Sequence, residues 1–368
     1  MITPFFSPEH MHAPLHEALK DAFERVLNSN CFIRGVETEA FESAFAAYCG
    51  THHAVGTGNG LDALHIALRT LGIGPGDEVI VPANTYVATV LAVVHAGADP
   101  VLVEPEEESF NLDPETFEEA ITPRTKAVIP VHLYGRPCAM ARIMDIAARH
   151  HILVVEDNAQ AHGAEVGGKR TGSWGHLNAT SFYPTKNLGA LGDAGALTTD
   201  SMEYAERARA FCNYGAYHKN VHDECGFNSR LDELHAALLS VKLPHLDRWN
   251  ADRARLAERY GAELSGVGDL VVPKLTTGAV HHLYVVRTTH RSALIRSLGE
   301  AGCATMVHYP TPPHAQSAFA DRGWTPDRFP ITERLAETSL SLPLYPGMGD
   351  RQEHVIELVK AFFDRPGR

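Results

Sequence analysis

One lysine stands among aromatic and small residues in Ser181-Phe182-Tyr183-Pro184-Thr185-Lys186-Asn187-Leu188-Gly189, with the Ser181 hydroxyl five positions upstream. Earlier in the chain, Ile152-Leu153-Val154-Val155 runs into Glu156-Asp157. That run reads as a buried parallel strand ending in an acid. Apolar surroundings disfavour the ammonium form of a lysine, which brings its titration towards neutrality and lets the amine form a Schiff base. An acid at the carboxyl end of a strand can hold a protonated pyridine nitrogen. An amine for the aldehyde and an anion for the ring nitrogen are what pyridoxal 5'-phosphate (PLP) requires.

The elements that must position these groups alternate along the chain. The pattern predicts helices over 15–27, 61–71, 86–95 and 139–150, and a short helix over 114–120 with Asp113 as its N-cap. Strands are predicted at 78–81, punctuated by Pro82, and at 100–103, 127–131 and 152–155. Alternation of this kind gives an α/β fold with a mostly parallel central sheet, and ligands of such sheets sit at the carboxyl ends of the strands, where Asp157 falls. A long helical region follows from Leu231 to about Tyr260, after which the pattern changes. A strand at 283–286, a helix at 292–302, a strand at 305–309 and a last helix at 352–363 read as a smaller C-terminal α+β domain. The expected division is a large domain over 1–250 and a small one over 251–368, with the boundary near 245–265.

Gly56-Thr57-Gly58-Asn59-Gly60 precedes a helix and invites a dinucleotide site, but Leu61 and Asp62 stand where the third glycine is needed and Asp77 precedes a strand. The simpler reading is phosphate held by backbone N–H groups at a helix start. Gly163 to Lys169 has phosphate-loop spacing, yet Arg170 replaces the hydroxyl residue that would hold magnesium. The segment His218 to Cys225 contains metal-ligand types without a second clustered pair, so no metal is assigned.

With 32 Lys+Arg against 45 Asp+Glu the formal charge is −13, and no basic stripe points to nucleic acid. The six cysteines are scattered without a C-x-x-C pair and read as reduced thiols of a cytoplasmic protein. The first residues show no signal-peptide pattern, and the longest apolar stretch, 86–98, is interrupted by His95 and Gly97, so no membrane partner is expected.

At these residues the chain resembles the DegT/DnrJ/EryC1/StrS family of PLP-dependent sugar aminotransferases. The likeness runs nearly end to end, through Phe32-Ile33-Arg34-Gly35, Gly58 to Leu64, Pro75 to Pro82, Thr85 to Thr89, Val131 to Gly135, Glu156 to Gly163, Ser181 to Gly195 and Gly226 to Glu233. The resemblance implies a fold-type I aminotransferase working as a homodimer with a shared active site. It implies that Lys186 carries PLP and shuttles the proton, Asp157 pairs with the pyridinium, Gln160 meets the ring hydroxyl and Tyr86 stacks on the ring. Ser181 and the backbone of Gly60 and Leu61 would hold the phosphate, with Asn228 reaching it from the other subunit. The expected reaction moves an amino group from L-glutamate to the C-3 ketone of a dTDP-linked 3-keto-6-deoxyhexose. Lys219 and Arg230 are candidates for the substrate diphosphate, and Tyr183, His308 and Tyr309 for the sugar pocket. A C-4 or cyclitol aminotransferase, a related dehydratase (against which Lys186 itself argues) and a non-catalytic regulator are the other readings. Two departures, His235 for the usual Gln and Asn158 for the common Ala, bear on substrate fit.

Overall fold

Parallel strands with continuous apolar runs need helices on both faces, and the chain builds that arrangement on seven strands: β1 (His53–Thr57), β2 (Glu78–Pro82), β3 (Asp99–Val103), β4 (Thr125–Val128), β5 (Leu153–Asp157), β6 (Leu177–Ser181) and β7 (Gly195–Thr199). The computed structural model describes residues 2–364. Strand order is β1-β7-β6-β5-β4-β2-β3. The pairs among β3, β2, β4, β5 and β6 are parallel, while β7 runs antiparallel to both β6 and β1.

The α-helices of six residues or more are α1 (His16–Ser29), α2 (Val36–Cys49), α3 (Gly60–Thr70), α4 (Val87–His95), α5 (Pro114–Glu119), α6 (Met140–Arg149), α7 (Met202–Cys212), α8 (Glu233–Lys242), α9 (Leu246–Leu264), α10 (Arg291–Glu300), α11 (Pro330–Thr338) and α12 (Asp350–Phe363). Two strands, β8 (Tyr284–Arg287) and β9 (Ser339–Leu342), pair antiparallel in a separate small sheet.

Side-chain alternation along the strands sorts the core into two layers. Val79, Val81, Val155, Leu177 and Ala179 face α3, α4 and α7, whereas Ile80, Val128 and Val154 face Phe117 of α5 and Met140, Ile143 and Ile146 of α6. The same period of two decides where the polar strand ends point. Asp157 and Ser181 fall on the side of α3 and α4, and Glu156 falls on the other. A second core joins the later turns of α9 to β8, β9, α10 and α12 through Tyr260, Leu264, Tyr284, Leu298, Leu340 and Val359.

Three elements depart from the sequence reading. The helical region after Leu231 is not continuous: α8 ends at Lys242, a 3-10 turn spans Leu243–His245 and α9 begins at Leu246. Pro244 has no N–H to donate and its ring crowds the preceding turn, so the helix breaks there. The strand expected over 127–131 pairs regularly only to Val128, beyond which Val131 makes an isolated bridge to Asp157. The strand expected over 305–309 is a single bridge between Met306 and Ser341. The Gly163–Lys169 pattern belongs to a tight hairpin, Glu165–Val166 against Lys169–Arg170, turned by Gly167 and Gly168 at positive φ. Asp113 does cap α5, accepting from the Glu115 N–H at 2.9 Å.

Candidate active site

The carboxyl end of β5 is held on both faces. On one, Glu156 is fully buried and its carboxylate accepts from the Gly172, Trp174 and Gly175 N–H groups at 3.0, 2.5 and 3.0 Å and pairs with His132 Nε2 at 2.7 Å. The Cys138 N–H donates to His132 Nδ1 at 3.0 Å, so the imidazole carries its proton on Nε2 and points it at Glu156. On the other face, Asp157 Oδ2 accepts from Thr89 Oγ1 at 2.9 Å and Oδ1 from the Ala159 N–H at 3.2 Å. Thr89 Oγ1 lies 2.9 Å from Thr85 Oγ1, just before the helix. Burial raises the Asp157 carboxyl above its ordinary value, opposed by the hydrogen bonds from Thr89 and Ala159 and by the Lys186 charge.

Lys186 follows a turn closed by its own N–H to the Tyr183 carbonyl at 2.8 Å. Burial pulls its ammonium down to about 8, with the Asp157 charge acting the other way. Three imidazoles lie within electrostatic reach of it. Burial and then the Lys186 charge hold His162 down at about 3, His308 at about 4 and His282 well below its ordinary value. Neutral rings add no competing cation beside the amine. The neighbouring Asn187 fixes the turn, its Nδ2 donating to Asn250 Oδ1 at 2.8 Å and its Oδ1 lying 3.0 Å from His282 Nδ1.

A phosphate-sized corner adjoins these groups. Asn59 caps α3, accepting from the Asp62 N–H at 2.8 Å, and this leaves the Gly60 and Leu61 amides at the helix end without an intrahelical partner. A Cβ on Gly60 would lie 2.6 Å from Ser181 Cβ, so glycine is what lets the helix start and the Ser181 hydroxyl meet. On the opposite side the Tyr86 and Tyr309 rings lie 5.0 Å apart. Gln160 is fixed at both ends of its amide, accepting from the Tyr134 N–H at 2.6 Å and donating to Tyr309 Oη at 3.0 Å. The Tyr134 hydroxyl donates to the His308 carbonyl, and His308 Nδ1 lies 2.8 Å from Ser341 Oγ. A buried amine of lowered pKa, an anion beside it, an exposed aromatic face and an amide-lined corner form a donor set that fits PLP.

The structure therefore assembles Lys186, Asp157, Gln160, Ser181, Gly60, Leu61, Tyr86, His308 and Tyr309. Tyr183 is exposed at the mouth, its N–H on Ser181 Oγ at 3.3 Å. The remaining candidates lie on the 213–231 loop. Asn228 is exposed and makes no side-chain hydrogen bond among the described residues, Lys219 is exposed, and Arg230 donates to Asn213 Oδ1 at 3.2 Å beneath the Tyr214 ring. Thr89, Glu156, His162, Asn187 and His282 are site residues the sequence reading assigned no role. Thr89 lies four residues after Thr85 in the sequence, a local spacing; the others depend on contacts between distant segments.

An α/β sheet with a lysine and an acid converging beside a helix start defines a protein of the PLP-binding class. The profile of the DegT/DnrJ/EryC1/StrS aminotransferase family matches residues 14–360, and the chain belongs to that family. It is 49% identical over 364 residues to the erythromycin biosynthesis sensory transduction protein EryC1 of Saccharopolyspora erythraea, spanning 98% of this chain and 100% of that protein. It is 46% identical to the dTDP-3-amino-3,4,6-trideoxy-alpha-D-glucose transaminase of Streptomyces venezuelae, across 98% of this chain and 96% of that one. The crystal structure of S. venezuelae DesV in complex with a ketimine intermediate superposes with a TM-score of 0.97 at 46% identity, covering 100% of both chains.

Proposed function

We propose that the chain is a PLP-dependent aminotransferase that moves an amino group from L-glutamate to the C-3 ketone of a dTDP-linked 3-keto-6-deoxyhexose. The observation that carries the reading is the convergence of Lys186 and Asp157 beside the Gly60–Ser181 corner, in a chain that matches a named dTDP-3-amino sugar transaminase along almost its whole length. When bound, the cofactor supplies an electron sink for the carbon whose C–H bond breaks. Lys186 would hold it covalently at rest, and its freed ε-amine would take the proton from the donor carbon and return it on the other side of the transfer. Asp157 holds the ring nitrogen in its protonated form, Tyr86 covers the ring face, and Gln160 orients the ring hydroxyl. Ser181 and the Gly60 and Leu61 amides take the phosphate, to which Asn228 of a second subunit adds a donor. Tyr183, His308 and Tyr309 line the sugar pocket, and Lys219 and Arg230 meet the diphosphate.

The working unit in this proposal is a homodimer, each chain divided into a large domain over 1–250 and a small one over 251–368. All six cysteines are free, two of them exposed, which supports a reducing, cytoplasmic setting. Among the described residues no helix is long and apolar enough to cross a membrane.

The test pairs attachment with turnover. Borohydride reduction of the PLP-loaded protein should label the peptide containing position 186, and Lys186→Ala should lose both label and turnover. With glutamate and a panel of nucleotide ketosugars, NMR should place the new amine on C-3. An amine on C-4 would move the reading to that branch. The 49% identical relative is a sensory transduction protein by name, which favours one other reading, a sensory or regulatory protein; labelling without transfer to any ketosugar would support it.

A further inference from the structure

Ser229 stands next to Asn228, is buried, and spends both capacities of its hydroxyl on one place. Its Oγ donates to Asp62 Oδ2 at 2.6 Å and accepts from the Gly58 N–H at 2.9 Å. Both partners flank the start of α3, the helix whose Gly60 and Leu61 amides face the phosphate corner. Asp62 lies in the first turn of that helix. A carboxylate there suits the helix dipole but repels a phosphate dianion bound at the same end. No cation pairs with Asp62 among the described residues, and the Ser229 hydroxyl is the side-chain donor that neutralises part of its charge and fixes its direction. Space is short as well: a Cβ on Gly58 would sit 3.3 Å from Ser229 Oγ and 3.5 Å from Asp62 Oδ2. The loop is thus pinned against the glycine turn by a polar contact, not by packing alone.

We propose that Ser229 is a positioning residue for the cofactor phosphate. It holds the Asp62 carboxylate against the Gly58 turn of its own subunit, and through the adjoining backbone it sets the reach of Asn228 towards a second subunit. One hydroxyl then aligns a piece of two phosphate sites. The inference rests on the PLP reading given above and adds to it a residue that touches neither cofactor nor substrate.

The test is an equilibrium titration of apoprotein with PLP, read by absorbance and independent of turnover, for the wild type, Ser229→Ala, Ser229→Thr, Ser229→Ala/Asp62→Asn and Asn228→Ala. Loss of a hydrogen bond to a charged group is expected to weaken PLP binding about tenfold in Ser229→Ala. Ser229→Thr, which keeps the hydroxyl, should bind more tightly than Ser229→Ala, and Asp62→Asn should restore much of the loss by removing the repelling charge. The thermal midpoint of apo Ser229→Ala should stay near that of the wild type. A Ser229→Ala protein that binds PLP with wild-type affinity overturns the proposal, and so does a loss that Asp62→Asn leaves untouched. The Asn228→Ala arm judges the cross-subunit reading separately: unchanged affinity there removes Asn228 from the phosphate and leaves the Asp62 arm to decide the role of Ser229.

Discussion

At Lys186 two opposed effects set the working pH. Burial disfavours the ammonium and the Asp157 carboxylate favours it; burial wins, and the amine titrates at about 8 where an exposed lysine has 10.5. Only the neutral amine has the lone pair that attacks an aldehyde. The rate at which apoprotein captures PLP, followed by absorbance, should therefore rise with pH and level off above about 8. Asp157→Asn removes the charge that stabilises the ammonium, so the inflection should move to lower pH. An inflection at the ordinary lysine value would mean that the amine is solvated and the site wrongly placed. Lys186, Asp157 and Ser181 were legible in the sequence because each sits in a local pattern: an apolar run ending in an acid, or a lysine among small and aromatic residues. Thr89 on Asp157 and His282 on Asn187 were not, since those contacts join segments separated by 68 and 95 residues.

Among the elements, the helix starts carry the information that sequence patterns reveal least evenly. The Asn59 cap of α3 and the Asp113 cap of α5 are local, and α5 was read with its cap. The cap of helix α2 is not local. Gly35 supplies no side chain, and the carboxylate of Glu233, on α8, accepts from the Gly35, Glu37 and Thr38 N–H groups at 2.7, 3.0 and 2.8 Å. Pro244 shows the converse: the apolar periodicity continues through it, but the missing donor ends the helix. Burial raises the Glu233 carboxyl, yet the donors from Thr38, Glu37 and Gly35 outweigh it and the net value lies below the ordinary one. Glu233→Ala should cost about 3 kcal/mol in urea unfolding, because three helix-end N–H groups lose a charged acceptor. The sign with pH follows from the lowered folded value. The contribution is complete above the unfolded carboxyl value of 4.5 and fades as pH falls through the lower folded one. The gap between wild type and Glu233→Ala should narrow in acid; a gap independent of pH would assign the loss to packing.

For the molecule as a whole, the site lies on the seam between its two main cores. Helix α9 begins among large-core residues at Leu246 and ends in the second core at Leu264. From it Asn250 reaches Asn187 beside the lysine, and Gly135, at φ +87, passes so close to the segment leading into β8 that a Cβ would sit 2.7 Å from the His282 backbone nitrogen. The alternating strands and helices made the larger sheet readable, whereas β1 and β7, paired antiparallel at its edge, left no alternation to follow. The one residue that the sequence resemblance sends to a second subunit faces solvent in this chain. Asn228 is exposed, and Phe32, Ile33 and Tyr214 are large apolar groups at the surface. If the phosphate site is shared, Lys186→Ala and Asn228→Ala chains damage different halves of it. A heterodimer of the two keeps one site with an intact lysine and an intact Asn228, and one site that lacks both. Equal amounts unfolded and refolded together should recover about a quarter of wild-type activity at limiting PLP, since half the dimers are mixed and each has one sound site. A mixture no more active than its two parents measured apart would mean that each chain completes its own site and that Asn228 plays no part across the dimer.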